Sequence, residues 1–255
     1  MFLRNERSIR EFRQLYPIVF WLIVIHLVLW LIINFLQLPI GVELYTWGLG
    51  VNFLVAEGEL WRLVTPIFLH GDLMHAVFNS FALVLFGPAL EQMLGKGRFL
   101  FVYLGAGILA NIATFILGPL DMAHLGASGS IFGLFGVYTY MYFFRKDLLD
   151  YGSSQVIMPI LVIGLIMTFL NPGINIYAHV FGFVGGFVLA PSVLKYARPY
   201  FYIRTESMSH PTEPGDVQFN PNRWRKRRIL SPKVKKNLPW IIIGALAILG
   251  LLSRL

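Results

Sequence analysis

The chain has 255 residues, of which 56% are hydrophobic and 13% charged, and its mean hydropathy is +0.66. A soluble domain carries about a quarter of its residues as charges, so a water-soluble globular fold is excluded and the bilayer is the expected solvent. The formal charge is +8 and there is no cysteine, which excludes disulfides, thiolate metal sites and cysteine nucleophiles.

Residues 1–14 form a basic N-terminal segment. Between Arg13 and Glu43 lie 29 uncharged residues, and the apolar stretch Leu15 to Leu36 predicts a first transmembrane helix, too long and too poorly followed by small residues for a cleavable signal. Further charge-free stretches run from Leu73 to Leu90, Phe99 to Leu120, Met122 to Phe144, Tyr151 to Leu194 and Asn237 to Ser253. The run from Tyr151 is 44 residues long, about two crossings at ~1.5 Å per residue. The sequence Asn171-Pro172-Gly173-Ile174-Asn175 is a turn signal that divides it. The expectation is an all-α polytopic membrane protein with six helices in residues 15–196, a flexible basic linker over 197–236, and a seventh helix over 237–255.

With the N-terminus inside, nineteen of the 21 basic residues fall on the inner side, leaving Arg62 and Arg254 outside. The positive-inside rule therefore predicts N-terminus in and, after seven crossings, C-terminus out. The run Arg223 to Lys236 is then juxtamembrane, where anionic lipid head groups are the expected partner and nucleic acid is not. Glu6 and Glu11 argue against a transit peptide, and a bacterial plasma membrane is the expected location.

Within the spans, His75, Asn79, Ser128 and His179 are polar side chains in surroundings that penalise them unless they line a cavity or meet a partner. Counted from the charges anchoring each helix, Ser128, Asn79 and His179 lie at one level, ~24–26 Å above the inner boundary at ~1.5 Å per residue. His75 is one turn above Asn79 on the same face. Taken singly, each reads first as a packing polar group, the reading His26 keeps; four within one turn of the same depth point to a site. Ser128 stands in Gly126-Ala127-Ser128-Gly129, where glycines admit a substrate to a nucleophile and helix-start N–H groups face developing negative charge. His179 suits a general base. His75, Asn79 and the Ser128 N–H suit an oxyanion hole. No carboxylate shares the level, so a dyad is predicted rather than a triad. Gly129 and Gly133 on the fourth helix, and Ala178, Gly182 and Gly186 on the sixth, form small-residue faces suited to close packing.

These residues together resemble the rhomboid family of intramembrane serine proteases. The resemblance rests on His70, His75 and Asn79 in HGDLMHAVFN, Ser128 in GASG, His179, Gly182 and Gly186 in AHVFGFVGG, Glu59-Leu60-Trp61-Arg62 in the first external loop, and Glu91. It covers roughly Leu15 to Lys195. It implies Ser128 as nucleophile, His179 as base, His75 and Asn79 as oxyanion donors, and hydrolysis of transmembrane protein substrates near the outer face. It further implies a loop from Leu38 to His70 packed partly into the outer leaflet, and a fifth helix acting as a lateral gate. The family often has Tyr four residues after the nucleophile, whereas Phe132 stands here and keeps the aromatic face without the hydroxyl. His70, Gly126, Gly129 and Gly182 are expected to support the site, and Glu59, Trp61 and Arg62 to hold the external loop.

No cofactor or metal is expected. A zinc site from His70, His75 and His179 lacks HExxH, and Glu91 falls near the opposite boundary. A channel or transporter would need a continuous polar path. A catalytically silent rhomboid-like protein that binds or escorts transmembrane clients is the remaining alternative, which the presence of both Ser128 and His179 disfavours.

Overall fold

The computed structural model describes residues 6, 8–149, 151–171 and 173–200. All belong to the first of two units, residues 1–209. The expected seventh helix and nearly all of the basic linker lie outside the described residues.

A short helix α1 (Ile9–Leu15), capped by Ser8, leads into α2 (Pro17–Trp30), where Pro17 occupies the first turn and loses no intrahelical bond by lacking an N–H. The last turn of this span, Leu31–Phe35, widens to a π-helix. A long loop follows, built from α3 (Pro39–Gly48), α4 (Asn52–Ala56) and two 3₁₀ turns, Leu60–Leu63 and Thr65–Phe68. Then come α5 (Leu73–Leu94), α6 (Lys96–Leu117), α7 (Ser128–Phe144), α8 (Tyr151–Leu170) and α9 (Ile176–Leu194). The chain is an all-α polytopic membrane protein. Among the described residues the one strand pairing is antiparallel, Gly50–Val51 against Ala123–His124.

Five of these segments are long and apolar enough to cross a membrane: Pro17–Phe35, Leu73–Leu94, Lys96–Leu117, Gly152–Leu170 and Ile176–Leu194. Helix α7, expected as the fourth span, has only 17 residues, about 25 Å at ~1.5 Å per residue. Its start comes later than the charge-free stretch from Met122 allows, because Ala123 and His124 are committed to the strand pair and Gly126 turns the chain at φ 123°. A short helix suits this position: every residue from Gly129 to Thr139 is buried, so its flanks meet protein rather than lipid. The peripheral helices instead expose large apolar side chains such as Phe35, Phe101, Ile116 and Val188, as a lipid-facing surface requires.

α7 lies against α9 with backbone touching backbone. A Cβ added at Gly182 would overlap the Gly129 carbonyl, one at Gly186 the Gly133 carbonyl, and one at Gly136 the Phe183 carbonyl. On its other side Gly133 faces the Ala106 methyl of α6. Lipid tails are as apolar as leucine, so such contact between small residues replaces the hydrophobic drive available in water.

At the opposite end of the bundle the carboxylate of Glu91 accepts the backbone N–H groups of Ile18 at 2.9 Å and Val19 at 2.8 Å, capping the start of α2. Arg145 pairs with Asp147 at 2.8 Å and donates to the Leu194 carbonyl at 3.0 Å, joining the ends of α7 and α9. Its guanidinium holds the Asp147 carboxyl below the usual carboxylate range. Tyr200 packs back into the bundle, its hydroxyl 3.3 Å from that of Tyr16.

Candidate active site

Ser128 opens α7. The residue before it, Ala127, has no side-chain capping bond, and the first helical bond runs from the Ile131 N–H to the Ala127 carbonyl at 3.0 Å. The N–H groups of Ser128, Gly129 and Ser130 are therefore the free donors of the first turn, at the positive end of the helix dipole. Ser128 is half-buried, whereas Ser130 is 1% exposed and directs its hydroxyl toward Gly107 of α6.

His179 enters from α9, whose start is fixed by Asn175. The Asn175 side chain accepts the Ala178 N–H at 3.0 Å and donates to Thr114 Oγ1 of α6 at 3.0 Å, so helix capping and docking use one residue. Ala178 sits against Gly129, so the residue before His179 meets the residue after Ser128. The buried imidazole lies over Phe132, with ring centroids 4.1 Å apart and planes inclined by 21°. Phe132 is one turn below Ser128 on α7, and its ring meets the bare face of Gly164 on α8. Among the described residues no hydrogen bond joins Ser128 Oγ to His179; such bonds commonly tighten only around a substrate.

The third element is α5, started by Asp72, whose carboxylate accepts the His75 N–H at 2.8 Å. This puts His75 in the first turn and Asn79, buried, one turn on. The His75 imidazole fills the space where Gly126 would carry a side chain, its Nε2 2.6 Å from an added Cβ. Gly126 is thus required twice, by its positive φ and by the ring, and it joins His75 to the segment carrying Ser128.

His70 stands behind His75, ring centroids 4.9 Å apart, and His26 stands 4.9 Å behind His70. Burial lowers the His70 pKa, helped by the neighbouring imidazoles. The His70 carbonyl accepts Asn34 Nδ2 at 2.9 Å, tying the loop to the π-helical turn of the first span. Among the described residues no three His, Cys, Asp or Glu side chains are grouped to hold a metal ion.

The loop residues Glu59, Trp61 and Arg62 lie away from Ser128 in the chain and among themselves in space. Arg62, 4% exposed, bonds Glu59 at 2.6 Å, the Thr46 carbonyl at 2.9 Å and the Leu49 carbonyl at 2.6 Å. Trp61 stacks on Trp47, centroids 5.0 Å apart, and donates to the Trp47 carbonyl. The sequence reading expects these residues to hold the external loop; Arg62 does so by joining Glu59 to the carbonyls at the end of α3.

Two residues of the site escaped the sequence reading. Asn175 had a visible signal, a helix-start asparagine after Pro-Gly. Thr168 had none, being the one hydroxyl in the apolar stretch Val156 to Leu170 of α8, yet its Oγ1 lies 2.8 Å from His179 Nδ1.

A rhomboid-domain family model matches residues 57–196. The chain is 48% identical over 193 residues to the rhomboid-family protein YdcA of Bacillus subtilis, covering 74% of this chain and 94% of YdcA. It is 40% identical over 150 residues to the rhomboid protease GluP of the same organism, covering 59% of this chain and 29% of GluP. To rhomboid-type serine protease 2 of Emericella nidulans it is 30% identical over 147 residues, 55% of this chain and 28% of that protein. The family match covers more than half of the chain, and YdcA is matched along nearly its whole length; this chain belongs to the rhomboid family and is a serine endopeptidase of the membrane.

Proposed function

We propose that the peptidase activity resides in a Ser128–His179 dyad that cuts transmembrane protein substrates near the outer membrane face. The observation that carries this reading is that His179 of α9 stacks on Phe132, one turn after Ser128 on α7, across the seam where Gly129 meets Ala178. Ser128 Oγ attacks the scissile carbonyl carbon while its proton passes to His179. The oxyanion meets the free N–H groups at the start of α7 together with His75 and Asn79. As the tetrahedral intermediate collapses, the C–N bond breaks and His179 returns the proton to the leaving amine. Water then repeats the sequence on the acyl-Ser128 ester, releasing the second product.

The distribution of basic residues supports N-terminus in, which places the start of α7 outside. The Bacillus relatives support a bacterial plasma membrane. The basic run Arg223 to Lys236 is assigned to anionic lipid on its charge alone.

A fluorophosphonate probe on the purified protein tests the reading. Labelling and cleavage of a model transmembrane substrate are expected to be lost in Ser128→Ala and kept in Ser130→Ala. Unchanged turnover by Ser128→Ala refutes the dyad, and a wild-type protein that folds but neither labels nor cleaves is a silent client-binding relative.

A further inference from the structure

His179 is held from α8 as well as from α7. Thr168, fully buried, has its Oγ1 2.8 Å from His179 Nδ1 and 2.8 Å from the carbonyl oxygen of Gly164 one turn earlier. A threonine hydroxyl carries one hydrogen, and a carbonyl oxygen only accepts. If Nδ1 were the bare nitrogen, two acceptors would compete for that hydrogen and one of the two contacts would set lone pair against lone pair. Both are satisfied together in one arrangement: Thr168 donates to Gly164, and the Nδ1–H of His179 donates to Thr168.

We propose that Thr168 is a positioning residue that fixes His179 in the Nδ1–H tautomer. The inference rests on the dyad reading above. With the proton on Nδ1, the lone pair that must take the Ser128 proton is on Nε2 in the resting enzyme. In a triad an aspartate performs this task and also stabilises the imidazolium by its charge; here a neutral hydroxyl supplies orientation without charge. The bond serves both stages of the reaction, because Nδ1 remains a donor when His179 is protonated. It also crosses between helices. Any displacement of α8 that carries Thr168 away from α9 frees the ring to exchange tautomers.

The test compares Thr168→Val, which keeps the shape and removes the hydroxyl, with Thr168→Ser, which keeps the hydroxyl. In Thr168→Val, kcat is expected to fall about tenfold with KM within twofold, matching one neutral hydrogen bond at ~1.4 kcal/mol per decade. Thr168→Ser is expected to recover most of the rate. The ¹⁵N resonances of His179 in detergent-solubilised wild type should show Nδ1 protonated and Nε2 bare, a readout that needs no variant to fold. Wild-type kcat in Thr168→Val, a Thr168→Ser variant as slow as Thr168→Val, or a resting Nε2–H tautomer each overturns the proposal. Failure here is distinct from failure of the dyad. Turnover that depends on Ser128 and His179 but not on the Thr168 hydroxyl removes only this inference, whereas turnover by Ser128→Ala removes the reading beneath it.

Discussion

The imidazole of His179 and the ring of Phe132 lie nearly parallel, 4.1 Å between centroids, and Phe132 is in turn backed by Gly164 of α8. The ring orientation is therefore set by stacking on one face and by Thr168 at the edge.

Replacing Phe132 by leucine keeps an apolar side chain and removes the π face. An aromatic pair is worth about 0.5–1.5 kcal/mol beyond its buried area, so kcat is expected to fall about 2- to 12-fold, while Phe132→Tyr retains activity. Steady-state kinetics on a model substrate measure this. Unchanged kcat in Phe132→Leu would show that the stack does not order the imidazole.

Gly182→Ala would drive a methyl into the Gly129 carbonyl, next to both Ser128 and His179. Backbone atoms on each side leave no flexible group to yield, so a loss of several kcal/mol and of serine labelling is expected. Gly97→Ala is the control: nothing lies within 4 Å of its added Cβ, and in a helix the change should be neutral or stabilising by up to ~1 kcal/mol. Thermal melts of the two variants in detergent should differ in sign or by a wide margin.

Arg62→Ala strips two carbonyls and Glu59 of their donor in a buried setting. Hydrogen bonds to a charged group contribute about 1.5–3 kcal/mol, so the melting temperature should drop by roughly 5–10 °C for a domain of this size. Serine labelling below the melt should persist. A variant that stays stable yet cannot be labelled would place Arg62 in the chemistry.

His124 supplies a pH dependence. Burial pushes its pKa down to about 4, below the unfolded value of ~6.5. The unfolded chain therefore binds the proton first as pH falls. Stability from the neutral native ring is full above pH ~6.5 and is lost between ~6.5 and 4, by at most about 3 kcal/mol. His124→Phe should reduce the fall of the melting temperature over that window, buried His70 accounting for part of what remains. An equally steep decline in the variant would assign the dependence to other groups.

The long helices were legible because charges are excluded from hydrocarbon and therefore mark where each helix ends. The close seam was legible as spaced small residues. The start of α7 at Ser128 was legible from Gly126-Ala127-Ser128-Gly129, but the strand pair before it was not, since two residues diverted into such a pair leave no trace in a hydropathy pattern. Nor was the burial of Arg62, which depends on where α3 folds back. Thr168 was beyond sequence reasoning because α8 carries its hydroxyl at an unremarkable position, and only the approach of α9 gives it a partner.

Glu91 has a consequence for the order of assembly. The two amides it caps at the head of the first long helix precede it by 73 and 72 residues. At about 5–20 residues per second, the ribosome delivers this carboxylate roughly 4 to 15 seconds after those amides are made. Until α5 arrives, the first span must satisfy its leading N–H groups with water or lipid head groups. Its final seat is completed retroactively, by a residue not yet translated when the helix first forms.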